Sequence, residues 1–285
     1  TQYRESDFTI PCFDVFTILG LNGEARFTSL KKCEFQLDYP SVEEMSIHHE
    51  RTDLTLGEEE SILSYMKNDI LATYEVFKIC LGLTEHVLYK GNNQIALRYD
   101  IKEEFGLECF NYSDIKIGDE LMKKSYCQET GLDLKELPKK GTFRKYVDLS
   151  KCIPKYVEFK TPFLQDLLKQ IKKTKLKRDM KWEKIFKINN TEYIQALGGI
   201  HSKNEGEVWT ANDEFYIEDD DVSSYYPKIV IENKYYPSHL GKELLKVYTQ
   251  IYEKRVALKP LAKKDKKIKG IVEALKLSLN SVFGC

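Results

Sequence analysis

The sequence predicts an α/β chain, and three kinds of stretch carry that expectation. Between residues 58 and 79 the apolar residues Ile62, Leu63, Met66, Ile70, Leu71, Tyr74 and Phe77 recur at three- and four-residue intervals, the period of an amphipathic helix. Short runs rich in β-formers, residues 13–19 and 215–217, read as strands. Near the end, the helical period of residues 240–258 stops at Pro260. A lysine-rich turn follows over residues 263–267, and a second helix begins near Ile268. Two helices joined by a short basic turn make an antiparallel hairpin.

With 285 residues the chain is long enough for about two domains. Apolar residues make up 42% and charged residues 31%, which describes a soluble globular protein rather than a disordered one. The net charge of -1 supplies no bulk attraction, so affinity for a polyanion must come from local clusters of Lys and Arg. The seven cysteines form no Cys-x-x-Cys pair and no spacing suited to zinc, and they read as reduced thiols in a cytosol. No apolar run reaches the roughly 18 residues of a membrane span, and residues 1–5 lack the apolar core of a signal peptide. No membrane partner is expected. The missing initiator Met and the ending Phe283-Gly284-Cys285 read as an internal piece of something longer.

The texture divides at about residues 83 and 190, giving segments 1–83, 84–190 and 191–285. In the middle segment Gly91-Asn92-Asn93 and Gly118-Asp119 read as punctuation and residues 137–141 as a loop. Residues 171–187 carry Lys172, Lys173, Lys175, Lys177, Arg178, Lys181, Lys184 and Lys187 around Trp182 and Phe186, a pattern that reads as a solvated helix face. No repeat of 20 to 50 residues is present.

Two motifs in the last segment can carry chemistry. The first is Asp221-Val222-Ser223-Ser224-Tyr225-Tyr226-Pro227, directly after the strand-like residues 215–217. A carboxylate at a strand end can hold a divalent metal, and the following turn offers N–H groups to phosphate oxygens. On its own, the same pattern also reads as a satisfied turn. The second is Lys276-Leu277-Ser278-Leu279-Asn280-Ser281-Val282-Phe283-Gly284, in which Lys276 and Asn280 share one helix face and can reach one bound nucleotide together. Alone, it reads as a surface lysine and a helix stop.

Taken in order, these residues resemble the family B DNA polymerases. That family's motif A reads Asp-x-x-Ser-Leu-Tyr-Pro, with Tyr225 here in the Leu position. Its motif B reads Lys-x-x-x-Asn-Ser-x-Tyr-Gly, with Phe283 here in the Tyr position. Between them, Arg255 and Lys259 look like the basic pair of the first fingers helix. Leu197-Gly198-Gly199 is similar to the family's Tyr-x-Gly-Gly segment, with Leu in place of Tyr, and glycines suit close approach to a phosphate backbone. Tyr65-Met66-Lys67-Asn68-Asp69 looks like the third exonuclease motif, Tyr-x-x-x-Asp. The first two exonuclease motifs are not recognisable. Asp14 in Cys12-Phe13-Asp14 lacks the preceding Asn of the second and reads as structural.

The resemblance implies a template-directed DNA polymerase of the phage-like kind, acting in a cytoplasm, or in a host cytoplasm if phage-encoded. Residues 1–83 would end a ribonuclease H-like 3′-5′ exonuclease, residues 84–190 would link, and residues 191–285 would form part of an antiparallel palm with helical-hairpin fingers. The partners implied are a DNA primer-template, deoxynucleoside triphosphates and a remaining palm and thumb, possibly on a separate chain. Asp221 would bind metal in the polymerase site and Asp69 in the exonuclease, where Tyr65 orients water. Two Mg²⁺ ions serve such transfer, and motif C is expected beyond Gly284, so only part of that site is expected here. Ser224 and Tyr225 would offer N–H groups to the β- and γ-phosphates, with Arg255, Lys259 and Lys276 adding charge. Tyr226 would lie under the sugar, Asn280 and Gly284 against the nascent base pair, and Gly198 and Gly199 on the DNA backbone. A non-catalytic nucleic-acid-binding module is the alternative, and a stand-alone nuclease fits less well because the early exonuclease acids are missing.

Both basic clusters, residues 172–187 and 263–269, are expected to meet phosphate. DNA affinity should therefore fall with salt at a log-log slope of about 0.7 to 0.9 per contact. A fluorescence-anisotropy titration across salt concentrations checks this, and a flat curve would reduce the clusters to surface decoration.

Overall fold

A computed structural model describes residues 13–18, 29–83, 93–138, 144–177, 180–189, 191–196, 199–203, 206 and 208–284. These residues are mixed α/β, mainly helical, with two small antiparallel sheets. The chain forms two compact units, one of Thr1–Pro138 with Ser224–Cys285 and the other of Lys139–Ser223.

The first unit is helical. It contains α1 (Val15–Ile18), α2 (Leu30–Gln36), α3 (Leu56–Cys80), α4 (Gln94–Phe105), α5 (Asp114–Thr130), α8 (Tyr225–Glu232), α9 (Gly241–Leu258) and α10 (Lys266–Gly284). Its core gathers Met122 and Tyr126 of α5, Leu244, Val247, Tyr248 and Ile251 of α9, and Ile271, Leu275 and Leu279 of α10. Helices α9 and α10 form the expected hairpin, pinned where the buried Tyr248 hydroxyl donates to the Leu279 carbonyl at 3.2 Å.

Helix α10 also lies against α4 and α5 at two glycines. A Cβ at Gly270 would meet the Asp100 carboxylate of α4. One at Gly118 would collide with the Leu277 carbonyl and lie 3.0 Å from the Ser281 Cβ. Gly118, expected to punctuate, is instead in the middle of α5, because a missing side chain lets two helix backbones approach there. The chain turns at Gly131, whose left-handed φ of 73° ends α5. Between α4 and α5, the fully buried Arg98 ties the connection down by donating to the Tyr112 carbonyl at 2.6 Å and lying 3.6 Å from Asp114.

Helix α3 has the expected extent. A capping box joins Thr55 and Glu58, and the Arg51 guanidinium donates to Glu58 at 2.6 Å. The backbone and hydroxyl of Thr55, with Arg51, hold the Glu58 carboxyl down at about 2. Its folded pKa lies below the ordinary value, so this cap is intact at neutral pH and weakens as pH falls through that range. The residues that set the helical period mostly face outward, Leu63 and Ile70 being 65% exposed. The buried side is Ala72, Val76, Ile79 and Cys80.

Two expected strands are not strands. Residues 15–18 form α1 because Asp14 caps them: its carboxylate accepts from the Thr17 N–H at 3.2 Å and hydroxyl at 2.6 Å, which makes Asp14 structural. Residues 215–217 are irregular and exposed. The Asn212 side chain accepts from the N–H groups of Glu214 and Phe215 at 2.9 and 3.1 Å, a local turn that diverts the backbone from ladder pairing.

The second unit holds β1 (Tyr146–Asp148), α6 (Leu149–Cys152), α7 (Pro162–Lys172), β2 (Lys175–Lys177), β3 (Glu183–Ile188), β4 (Thr191–Ala196) and β5 (Gly199–Ser202). Strand β1 pairs with β2, and β3-β4-β5 form an antiparallel meander. One sheet face carries Phe186 stacked on Tyr193 at 5.7 Å and tilted against Phe163 of α7 at 5.8 Å. The basic stretch is thus no single helix face. It runs from the end of α7 through β2 and β3, because alternating Lys184, Phe186 and Ile188 pair in register with Gln195, Tyr193 and Thr191.

Helix propensity favours alanine over glycine by about 1 kcal/mol, whereas overpacking costs about 1–3 kcal/mol. Gly118→Ala should therefore lower the urea midpoint, while Gly57→Ala, with nothing within 4 Å of a new Cβ, should leave it equal or higher. Equal behaviour of the two variants would contradict the close α5–α10 contact.

Candidate functional site

The site begins where the chain enters α8. Ser224, at φ 57° and ψ 44°, is in the left-handed conformation that non-glycine residues seldom adopt, and no side chain caps the helix it starts. Its carbonyl accepts the first helical bond from the Lys228 N–H at 3.0 Å. Pro227 follows in the first turn, its side chain buried, and has no N–H to offer, so backbone donors at this end come from earlier residues such as Ser224 and Tyr225. Such an end attracts negative charge.

Arg255 reaches this end from α9. Its Nη1 donates to the Ser224 Oγ at 3.2 Å, across 31 residues of sequence. Its Nε is buried with no hydrogen-bond partner among the described residues. A guanidinium beside a helix start that no side chain caps can attract an oxyanion. Tyr225 and Tyr226 stand next to it, both 54% exposed, their rings tilted at a separation of 5.7 Å.

Lys259 closes α9 and is exposed. Lys276 and Asn280 are exposed on one side of α10, opposite the buried Ala274, Ser278 and Leu279, as their four-residue spacing requires. Lys276 pairs with Glu273 at 3.2 Å. Among the described residues no hydrogen bond or ion pair links Lys259, Lys276 or Asn280 to the Ser224–Arg255 pair. Gly284 is the last residue of α10. Asp221 is exposed at the end of the second unit, in irregular backbone.

The second candidate pair has an unexpected partner. Lys31 of α2 donates to Asp69 at 2.6 Å and to Glu34 at 3.2 Å, with its ammonium 4.6 Å from the Tyr65 ring centroid. Burial works to lower the Lys31 pKa, but the bonds to Asp69 and Glu34 outweigh it and hold the ammonium above the usual lysine range. The raised lysine pKa means that its contribution is present at neutral pH and is lost as pH rises through the alkaline range. Glu34 is buried, with Oε2 lacking a hydrogen-bond partner among the described residues. The Lys31–Glu34 spacing is readable as a helix pair, but nothing local announces that Lys31 reaches Asp69, 38 residues away.

In the second unit Gly199 opens β5 at φ 147°, a backbone that side chains rarely allow, and its carbonyl accepts from the Gln195 amide at 3.3 Å. Gly198 lies outside the described residues, as do Cys12, Leu197, Arg178, Gly91-Asn92 and residues 139–141 of the expected loop.

Asp221 and Asp69 are single carboxylates, and no three His, Cys, Asp or Glu side chains converge on a metal position among the described residues. No described helix is long and apolar enough to cross a membrane. In comparisons with known proteins, the chain matches no family model, no curated protein and no solved structure.

Replacing Lys31 by Met leaves Asp69 and the buried Glu34 without their cation. The loss should be roughly 1 to 3 kcal/mol, less than for a fully buried pair because Lys31 and Asp69 keep some solvent access. Chemical denaturation followed by circular dichroism measures it, and an unchanged midpoint would show the contact to be idle.

Proposed function

We propose that this chain is part of a DNA-directed DNA polymerase of the family B kind, and that the corner formed by Ser224, the start of α8 and Arg255 receives the triphosphate of an incoming deoxynucleotide. The observation that carries this reading is the Arg255–Ser224 hydrogen bond. The two residues belong to stretches that resemble the family separately, by sequence alone, and a hydrogen bond between them supports reading them together. In that role the backbone N–H groups of Ser224 and Tyr225 and the Arg255 guanidinium act as fixed dipoles and charge, in place before the ligand arrives. Lys259 and Lys276 add positive potential from α9 and α10. Asp221 supplies one carboxylate to a site that Mg²⁺ would complete with a further acid. Tyr226 stands under the sugar, where a 2′-hydroxyl meets its ring, and Asn280 and Gly284 face the base pair.

On this reading α9 and α10 are the fingers hairpin. Helix α3, with Tyr65 and Asp69, ends an exonuclease domain of the ribonuclease H type. The meander with Gly199 lies where the template backbone passes. The exposed setting of Lys175, Lys177 and Lys187 favours a second reading, a non-catalytic nucleic-acid-binding module, since such lysines need no nucleotide site to hold DNA.

Triphosphate binding separates the two. Deoxythymidine triphosphate should bind this chain measurably more tightly than thymidine in isothermal titration. Arg255→Ala should weaken it about tenfold or more, the loss of a charged hydrogen bond of roughly 1.5 to 3 kcal/mol. DNA binding that persists without any triphosphate binding would overturn the polymerase reading in favour of the module.

A further inference from the structure

The second unit carries a concentration of positive charge that the triphosphate corner does not use. Residues 144–187 hold 14 Lys and Arg against 5 Asp and Glu, a net of +9 in a chain whose total is -1. Charge runs of this kind are usually solvated surface. What sets one part of the run apart is the ribbon of β1 and β2, where an aromatic ring stands among the cations.

Strand β1 pairs with β2 so that Tyr146 is opposite Lys177 and Asp148 opposite Lys175. Side chains alternate across a strand, and directly paired residues share a face. One face of the ribbon therefore presents Tyr146, Lys175 and Lys177, all exposed, while the half-buried Val147 and Leu176 pair on the other. The Tyr146 ring is 53% exposed, with the Lys175 ammonium 5.5 Å from its centroid. The pairing is carried one step further by the Leu149 N–H, which donates to the Thr174 carbonyl at 3.1 Å. Arg144 and Lys145, both exposed, lead into β1. Among the described residues none of Arg144, Lys145, Lys175 and Lys177 makes an ion pair. The carboxylate on the same face, Asp148, turns back on the chain, accepting from the Ser150 N–H at 3.1 Å and hydroxyl at 2.6 Å. Its charge offsets part of that of Lys175 and Lys151 and leaves the face positive.

We infer that this ribbon is a binding site for single-stranded nucleic acid, with one base stacked on Tyr146 and the flanking phosphates on Lys175, Lys177 and the Arg144–Lys145 entry. Every base has a π face, so an exposed ring takes one without regard to sequence, and the lysines beside it meet the backbone on which that base hangs. A duplex keeps its bases stacked on one another and offers the ribbon only phosphates. The site therefore prefers a single strand. It deepens the nucleic-acid-binding reading and stands whether or not the Ser224–Arg255 corner binds triphosphate.

Fluorescence anisotropy of the whole chain with a labelled thymidylate dodecamer, and with the same strand annealed to adenylate, measures this preference. The single strand should bind several-fold more tightly than the duplex. Tyr146→Ala should weaken single-strand binding about tenfold, within what one stacked base contributes, and leave the salt slope unchanged. Tyr146→Phe, which keeps the ring, should bind like the unsubstituted chain. Lys175→Ala and Lys177→Ala should each reduce the log-log salt slope by about 0.7. All three positions are exposed, so the circular dichroism spectrum should not change, and deoxythymidine triphosphate affinity, which belongs to the other unit, should be the same in every variant. Equal single-strand affinity of Tyr146→Ala and Tyr146→Phe, a duplex bound as tightly, or lysine variants with an unaltered slope would overturn the ribbon site and leave the wider nucleic-acid reading in place. Absence of binding to either DNA would overturn both.

Discussion

Gly118 is in the middle of α5 with the backbone of α10 against it, so close that a methyl group has no room. Much of the first unit depends on this approach. Because α10 comes that near to α5, its Ala274 and Leu275 reach two adjoining clusters, one with Ile117 and Leu121 and one with Val247 and Ile251. Because α10 is fixed, α9 is fixed through Tyr248, and α9 in turn carries Arg255 to the start of α8. The chemistry proposed for the corner thus rests on packing several turns away. Small residues at Gly118, Gly270, Ser278 and Ser281 make this possible, at the expense of leaving the Ser278 hydroxyl unpaired.

What could be read from sequence was whatever periodicity encodes. The hairpin of α9 and α10 and the extent of α3 follow from three- and four-residue spacing, and the Lys276–Asn280 face follows from the same rule. Elements decided by a pair of local side-chain hydrogen bonds were not legible. Asp14 converts a run of strand-formers into a helical turn, and Asn212 breaks another into a loop, each through two bonds to nearby donors. Gly118 misleads for a different reason. Composition marks glycine as a turn residue, whereas here it answers to a partner helix about 160 positions on, which no local window contains.

The candidate site divides in the same way. Motif spacing singles out Ser224, Arg255 and Asp221, but only the fold brings the first two together. Asp69 was legible as an acid on a helix face; its cation was not, because the Lys31 contact spans two helices. Only one of the two places gains a counter-charge that sequence omits. Around Asp69 the ammonium satisfies the carboxylate. At Arg255 one donor nitrogen is buried without a hydrogen-bond partner among the described residues.

The central claim is that Ser224 and Arg255 act as one phosphate-binding unit. A double-mutant cycle of Ser224→Ala and Arg255→Ala, read as deoxythymidine triphosphate affinity by calorimetry, tests it most directly. Residues sharing a ligand and a hydrogen bond should couple by about 0.5 to 3 kcal/mol. Losses that add to within about 0.3 kcal/mol, the behaviour of independent sites, would contradict the account.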